Sequence, residues 1–353
     1  MGTEPTGKFN THENYLRAFA QLAGFDYLST PDPVLAALAD DIRATRAFAR
    51  ARPSASPDIN QVRKSLANAW GMELLLGVSG EIATDAELLG LVNAQGVVQA
   101  YYAVYHAAQA LSVARGGRRV ESHPATQKQF ASLWMTPTFG VAPWCLASTK
   151  DGYSGLPSGH SVDETVHSWT SCTPDTCLDI ACKALRTTRE GQFKDAIKKA
   201  REQKRKKLRE AWKAEEEARV RGGRRPRKEP SFSLPRLDPL ERRSAEAGVR
   251  AHTLIDYLYR LRINAQYVDP STFTEGAEME YESQGVHRDL QRLVASTLLV
   301  HEIFIAAAIS GPAMTKIVSD WMAARQPSGV GHIGFARRRD LVLPSVSDVS
   351  GGF

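Results

Sequence analysis

The stretch from Thr84 to Arg115, TDAELLGLVNAQGVVQAYYAVYHAAQALSVAR, constrains the fold more than any other part of the chain. It has helical spacing, yet apolar residues fall on nearly every side, so the helix needs other elements all around it. Thr84-Asp85-Ala86-Glu87 has the form of a capping start, and Gly116-Gly117 ends the helix. The rest of the sequence offers its neighbours. After a polar lead-in, Thr30-Pro31-Asp32-Pro33 opens a helix through residues 34–51, and a second runs from Ile59 to Leu76. Pro124 begins a short helix ending near Trp134. Leu240–Asn264, Gly285–Ile309 and Pro312–Ala324 complete the set. Residues 136–175 are rich in Pro, Gly, Ser, Thr, Trp and Cys and read as loop with room for a strand. The Gly/Ser-rich tail from Arg325 reads as flexible. The fold class is mostly α, a helical bundle with a loop-rich insertion and a long basic arm. Its expected parts are a helical region at 1–80, half a bundle at 81–135, an insertion at 136–238, a second half at 239–324, and the tail.

Charge is divided unevenly. Lys183 to Lys228 holds 19 Lys or Arg against 7 Asp or Glu, a balance of +12 in a chain whose total is +6. The remainder is therefore acidic by about −6. From Cys177 a helix is expected through this segment, ended by RGGRRPRKEP. It is too poor in apolar residues to be buried, so it projects or folds back on its own return segment. Its cations are denser than solubility requires: Lys198, Lys199, Arg201, Lys204, Arg205, Lys206, Lys207 and Arg209, then Arg224, Arg225, Arg227 and Lys228. A phosphate backbone or an acidic protein is the partner such a run fits, with a solvated face or an internal acidic surface as the plainer account. With Trp212 alone at its centre, binding to nucleic acid would tolerate sequence.

At 42% hydrophobic and 24% charged, the chain has the balance of a folded protein. The first residues lack a secretory pattern, and the apolar run Leu298–Ile309 is too short to cross a membrane. Four cysteines make no disulfide framework, so reduced thiols and a cytoplasmic setting are expected.

Two separated segments resemble the HEPN superfamily of helical nucleotide-binding and ribonuclease domains. The first is Tyr101-Tyr102-Ala103-Val104-Tyr105-His106-Ala107-Ala108, followed by a Gly turn and Ser122-His123 through Phe130. The second is Leu254 to Tyr267, ending in Arg262-Ile263-Asn264-Ala265-Gln266-Tyr267, with Asp269-Pro270 behind it. The resemblance implies one bundle split by an insertion of about 120 residues that includes the basic arm. It also implies a homodimer, RNA rather than DNA as partner, and metal-independent RNA cleavage in a defence or stress setting, with no cofactor. Family ribonucleases pair an Arg with a His four to six residues later. Here Tyr267 stands where that His would follow Arg262, and a phenol is a weak base near neutral pH. Arg118 and His123 have the spacing, as do Arg325 and His332. Arg262, Tyr267, Arg118, His123 and His106 are thus the catalytic candidates. A helical protein that only binds nucleic acid or protein through its arm is the rival.

The plainer alternatives are specific. His106 and Tyr101, Tyr102 and Tyr105 suit a core of interhelical contacts. Arg260 and Arg262, two apart on a helix, cannot line one groove together, and each could instead pair with Asp256 or Asp269. His301-Glu302 lacks the second His of a metalloprotease motif, and a buried Glu302 needs a partner such as an arginine on another helix. Cys172, Cys177 and Cys182, with His160 and His167 upstream, are five apart and so turn away from one another on a helix. No metal site is expected from them.

Overall fold

The computed structural model describes residues 5–26, 30–167, 169–324 and 334–343, and the mostly α expectation holds. The helices are α1 (Pro5–Leu22), α2 (Pro31–Ala44), α3 (Arg46–Ala49), α4 (Ile59–Ile82), α5 (Ala86–Ala114), α6 (His123–Trp134), α7 (Cys177–Arg221), α8 (Pro239–Ala247), α9 (Leu254–Ile263), α10 (Ser271–Thr274), α11 (Glu280–Ile309), α12 (Gly311–Ala323) and α13 (Phe335–Val342). A π-helical turn, Asn264–Val268, follows α9. Strands β1 (Ala147–Thr149) and β2 (Gly152–Ser154) pair antiparallel, with Ser148 opposite Tyr153.

Helix α5 is the centre that its composition demands. Asp85 caps it through the Leu88 amide, and its buried residues lie on every side. Helices α4 and α11 make the most extensive contacts along it, and α6, α9 and α10 also pack on it. The two segments split by sequence therefore meet in space, α9 lying directly on α5. Helix α11 is long and apolar enough to cross a bilayer by length and composition, but 78% of its most apolar window is buried in the protein.

Several boundaries differ from the sequence expectation. The polar lead-in is helix α1, whose Phe9, Tyr15, Leu16 and Phe19 join the common core. One long helix over 240–264 is instead two. Gly248 ends α8, and the backbone at His252 pairs with Ser148 of β1 through two 2.9 Å hydrogen bonds. Thr253 and Asp256 then cap α9 reciprocally. The loop-rich stretch is not peripheral: Trp144 is buried and its indole donates to Thr297 Oγ1 at 2.9 Å. The outer part of α7 and its return lie outside the core, and α8 has no buried residue.

Part of the expected flexible tail is an anchor. Arg338 of α13 is 1% exposed and forks between Glu73 of α4 and Glu302 of α11. Glu302 also accepts from the Trp70 indole at 2.7 Å, so its burial is matched by the arginine partner it requires. His301, one residue away, donates from Nδ1 to the Thr297 carbonyl and accepts from the Trp134 indole at 3.2 Å, the pattern of a neutral imidazole. The cysteines are buried and apart in their bonding. Cys172 faces Gln21, Cys177 faces the Pro174 carbonyl, and burial pushes the Cys182 thiol up to about 12. His160 pairs with Asp179 at 3.1 Å, and His167 stacks on Trp169.

Removing Arg338 strands two buried carboxylates, so Arg338→Met should lose roughly 3–5 kcal/mol of unfolding free energy. Urea midpoints measure this, and adding Glu73→Gln should recover part of the loss. Acid should also destabilise the fold. Burial lowers His12 and His301 from 6.5 to about 4, so below 6.5 the unfolded chain takes up protons that the folded one refuses. Stability is lost as pH falls from 6.5 toward 4, by on the order of 1–2 kcal/mol per histidine between pH 7 and 5. His301→Gln should shrink that pH dependence in denaturation curves.

Candidate active site

Three elements bring their rings to one place. Helix α5 contributes Tyr101 and Tyr105 at one spacing of four, and Tyr102 and His106 at another, so each pair stacks along the helix. Helix α9 contributes Tyr259 and Arg262, three apart and on one face. The start of α6 contributes His123, fixed where Ser122 caps the helix and Pro124 occupies the first turn.

Arg262 is 7% exposed, and its guanidinium carbon lies over Tyr101, Tyr102 and Tyr259 at 5.5, 5.3 and 5.4 Å. Its Nη1 donates to the Tyr102 hydroxyl at 3.1 Å, while Nε is buried with no hydrogen-bond partner. Among the described residues no carboxylate pairs with it. Asp256 is taken by Arg250, and Asp269 by Lys8. A buried guanidinium held only by ring faces and one phenol is short of negative charge, which an anionic ligand would supply.

His123 flanks the same rings. Its Nδ1 lies 2.7 Å from the Tyr101 hydroxyl, and its ring sits 5.4 Å from Tyr259. Burial drives the Tyr101 phenol well above its usual range, so it stays protonated, and its oxygen can accept from Nδ1–H of His123. In that tautomer the Nε2 lone pair of the imidazole is free to accept a proton. Burial and then the Arg262 charge hold His123 below 6.5, so it is neutral at pH 7. Tyr102, accepting from Arg262, keeps its own O–H free to donate elsewhere.

The other candidates fall differently. His106 belongs to the ring lattice, stacked on Tyr102, with burial lowering it to about 4. Arg118 is exposed on the turn after α5, and no hydrogen bond or ion pair among the described residues joins it to the cluster. Tyr267 is 71% exposed on the π-helical turn that follows α9, and no hydrogen bond or ring contact among the described residues joins it to Arg262. On α9 itself the phenol beside Arg262 is Tyr259, one turn earlier, a neighbour that three-residue spacing marks. Arg260 points away to Asp195 of α7 at 3.2 Å. Arg325 and His332 lie outside the described residues.

The basic arm is a single helix, α7, of 45 residues, roughly 67 Å long, with an extended return. Four of its twelve candidate cations are committed to that return. Arg201 donates to the Pro235 and Leu234 carbonyls, Lys204 pairs with Glu241, Arg209 with Glu229, and Arg227 with Glu215 and Glu216. Lys206 has a loose contact with Glu210 at 3.8 Å. Lys198, Lys199, Arg205, Lys207, Arg224, Arg225 and Lys228 are exposed.

No protein-family model matches the chain, and comparison with curated proteins and with solved structures found no similar protein.

The coupling of His123 to Arg262 is measurable without a substrate. Titrated by NMR, His123 should ionise below 6.5, and Arg262→Met should raise its pKa while burial still keeps it low. An unchanged titration in that variant would show that the two charges do not meet.

Proposed function

We propose that this chain is a HEPN-like, RNA-directed protein that cleaves RNA without a metal ion, working in the cytoplasm as a homodimer in a defence or stress system. One observation carries the catalytic part: a buried guanidinium with no carboxylate partner, sharing its aromatic walls with a neutral imidazole. The two groups come from α9 and α6, not from one helix, so a single protomer already holds both a cation and a base. Setting and dimerisation rest on the family resemblance alone.

The chemistry follows from the groups. Arg262 would bind a phosphodiester through its uncommitted donors and stabilise the charge that builds on its oxygens. His123 would take the proton from the adjacent 2′-hydroxyl as that oxygen attacks phosphorus. As the bond from phosphorus to the 5′-oxygen breaks, that oxygen would take a proton from the Tyr102 hydroxyl; His123 then releases its proton to solvent and solvent reprotonates Tyr102, which resets both groups. The products are a 2′,3′-cyclic phosphate and a 5′-hydroxyl.

A second reading, binding without cleavage, draws on the arm, where exposed cations remain after internal pairing. One experiment separates the two. Labelled RNA incubated with the protein in EDTA should yield cyclic-phosphate and 5′-hydroxyl ends. His123→Ala and Arg262→Ala should each slow the reaction by about 10²-fold or more, and Tyr267→Phe should change little. Retention of intact RNA by wild type, or equal cleavage by the first two variants, would remove the catalytic proposal.

A further inference from the structure

We infer that the groove between α7 and its return segment is a track for a single-stranded polynucleotide, leading back toward the helix that carries Arg262. The groove, of about 1170 Å³, is lined on α7 by Lys199, Arg205, Lys206 and Arg209, and on the return by Lys228 and Phe232. Lys199, Arg205 and Lys228 have no ion pair among the described residues. Arg209 is neutralised by Glu229, which also clips the return to the helix. Lys199, Arg205 and Lys228 are therefore the cations left for a ligand in a lining whose carboxylates are Glu202 and Glu229.

Helical periodicity gives the groove a direction. Gly191, Asp195, Glu202 and Arg209 lie on one stripe of α7, with Lys199, Arg205 and Lys206 beside it. At the root of that stripe Asp195 pairs with Arg260 of α9 at 3.2 Å. The Arg260 guanidinium lies against Gly191, where an added Cβ would come within 3.3 Å of Nη2. Asp195 and Glu202 place two carboxylates on that stripe, so the groove's cations lie beside it, and the arm is tied at its root through Arg260 to the helix that carries Arg262 on another face.

Single-strandedness is argued from shape and chemistry. A cleft between one helix and one extended segment admits a single backbone, and half-buried Phe232 offers a ring to a base beside the cations. RNA and DNA share this backbone. This inference deepens the proposed function by naming its substrate class, but its test reads binding and not cleavage, so the two can fail separately.

The experiment uses the full-length His123→Ala protein, which keeps the strand intact, and fluorescently labelled single-stranded RNA, single-stranded DNA and duplex RNA. About four phosphate contacts give a log–log salt slope of about −3, and about a fiftyfold loss of single-strand affinity between about 50 and 200 mM salt. Replacing Lys199, Arg205 and Lys228 together by Glu should weaken single-strand binding by about tenfold or more and flatten the slope by about 2. Lys207→Glu, on the far side of α7, should have little effect. Both single strands should bind, and duplex should compete poorly. Equal loss from Lys207→Glu, no loss from the triple variant, or duplex competing as well as single strand would overturn the track. Preserved binding with no cleavage by wild type would leave the track standing and reject the nuclease.

Discussion

A helix buried around its whole circumference cannot be satisfied by one neighbour, and over residues 96–114 α5 is such a helix. It needs several covering elements. Helices α4, α6, α9, α10 and α11 all pack on α5, so segments far apart in sequence must converge on it. The ring cluster is a consequence of that convergence. Tyr101 and Tyr102 lie in the part of α5, residues 96–114, that has no exposed residue, and what meets them is whatever the covering helices present: His123 from α6, Tyr259 and Arg262 from α9.

Buried charge is handled in two ways. Arg338 is surrounded by the carboxylates of Glu73 and Glu302, and the three close the bundle by tying α13 to α4 and α11. Such a pair is weak evidence for added stability but strongly resists loss of one member. Arg262 sits almost as deep with aromatic faces and a phenol in place of acids. The first arrangement is complete in itself, and the second lacks a negative charge. That contrast, more than any motif, is what makes the cluster the candidate site.

Much of the fold was legible. The start of α5, the start of α7 at Cys177, the end of α11 at Ile309 and the need of Glu302 for an arginine all follow from caps, periodicity and the cost of buried charge. Helix α1 was hidden because few apolar residues, spaced widely among polar ones, are enough to seat a helix against an existing core. The break at 248–253 was hidden because its cause is a backbone pairing with Ser148, a hundred residues earlier. The arm was legible as a charged helix, but not which cations its own return segment would consume.

The sequence by itself determined a mostly helical bundle around α5, a basic arm held at both ends, and the types of residue at the site, because composition and periodicity act locally. Tertiary structure alone decided that Arg262 would meet Tyr102, Tyr259 and His123, that Tyr267 would face water, and that no carboxylate among the described residues would pair with the guanidinium. Those outcomes depend on the packing of three helices, which spacing within any one of them does not encode. The Tyr-Tyr helix, first conspicuous as a buried core element, is at once that core and the wall of the candidate site.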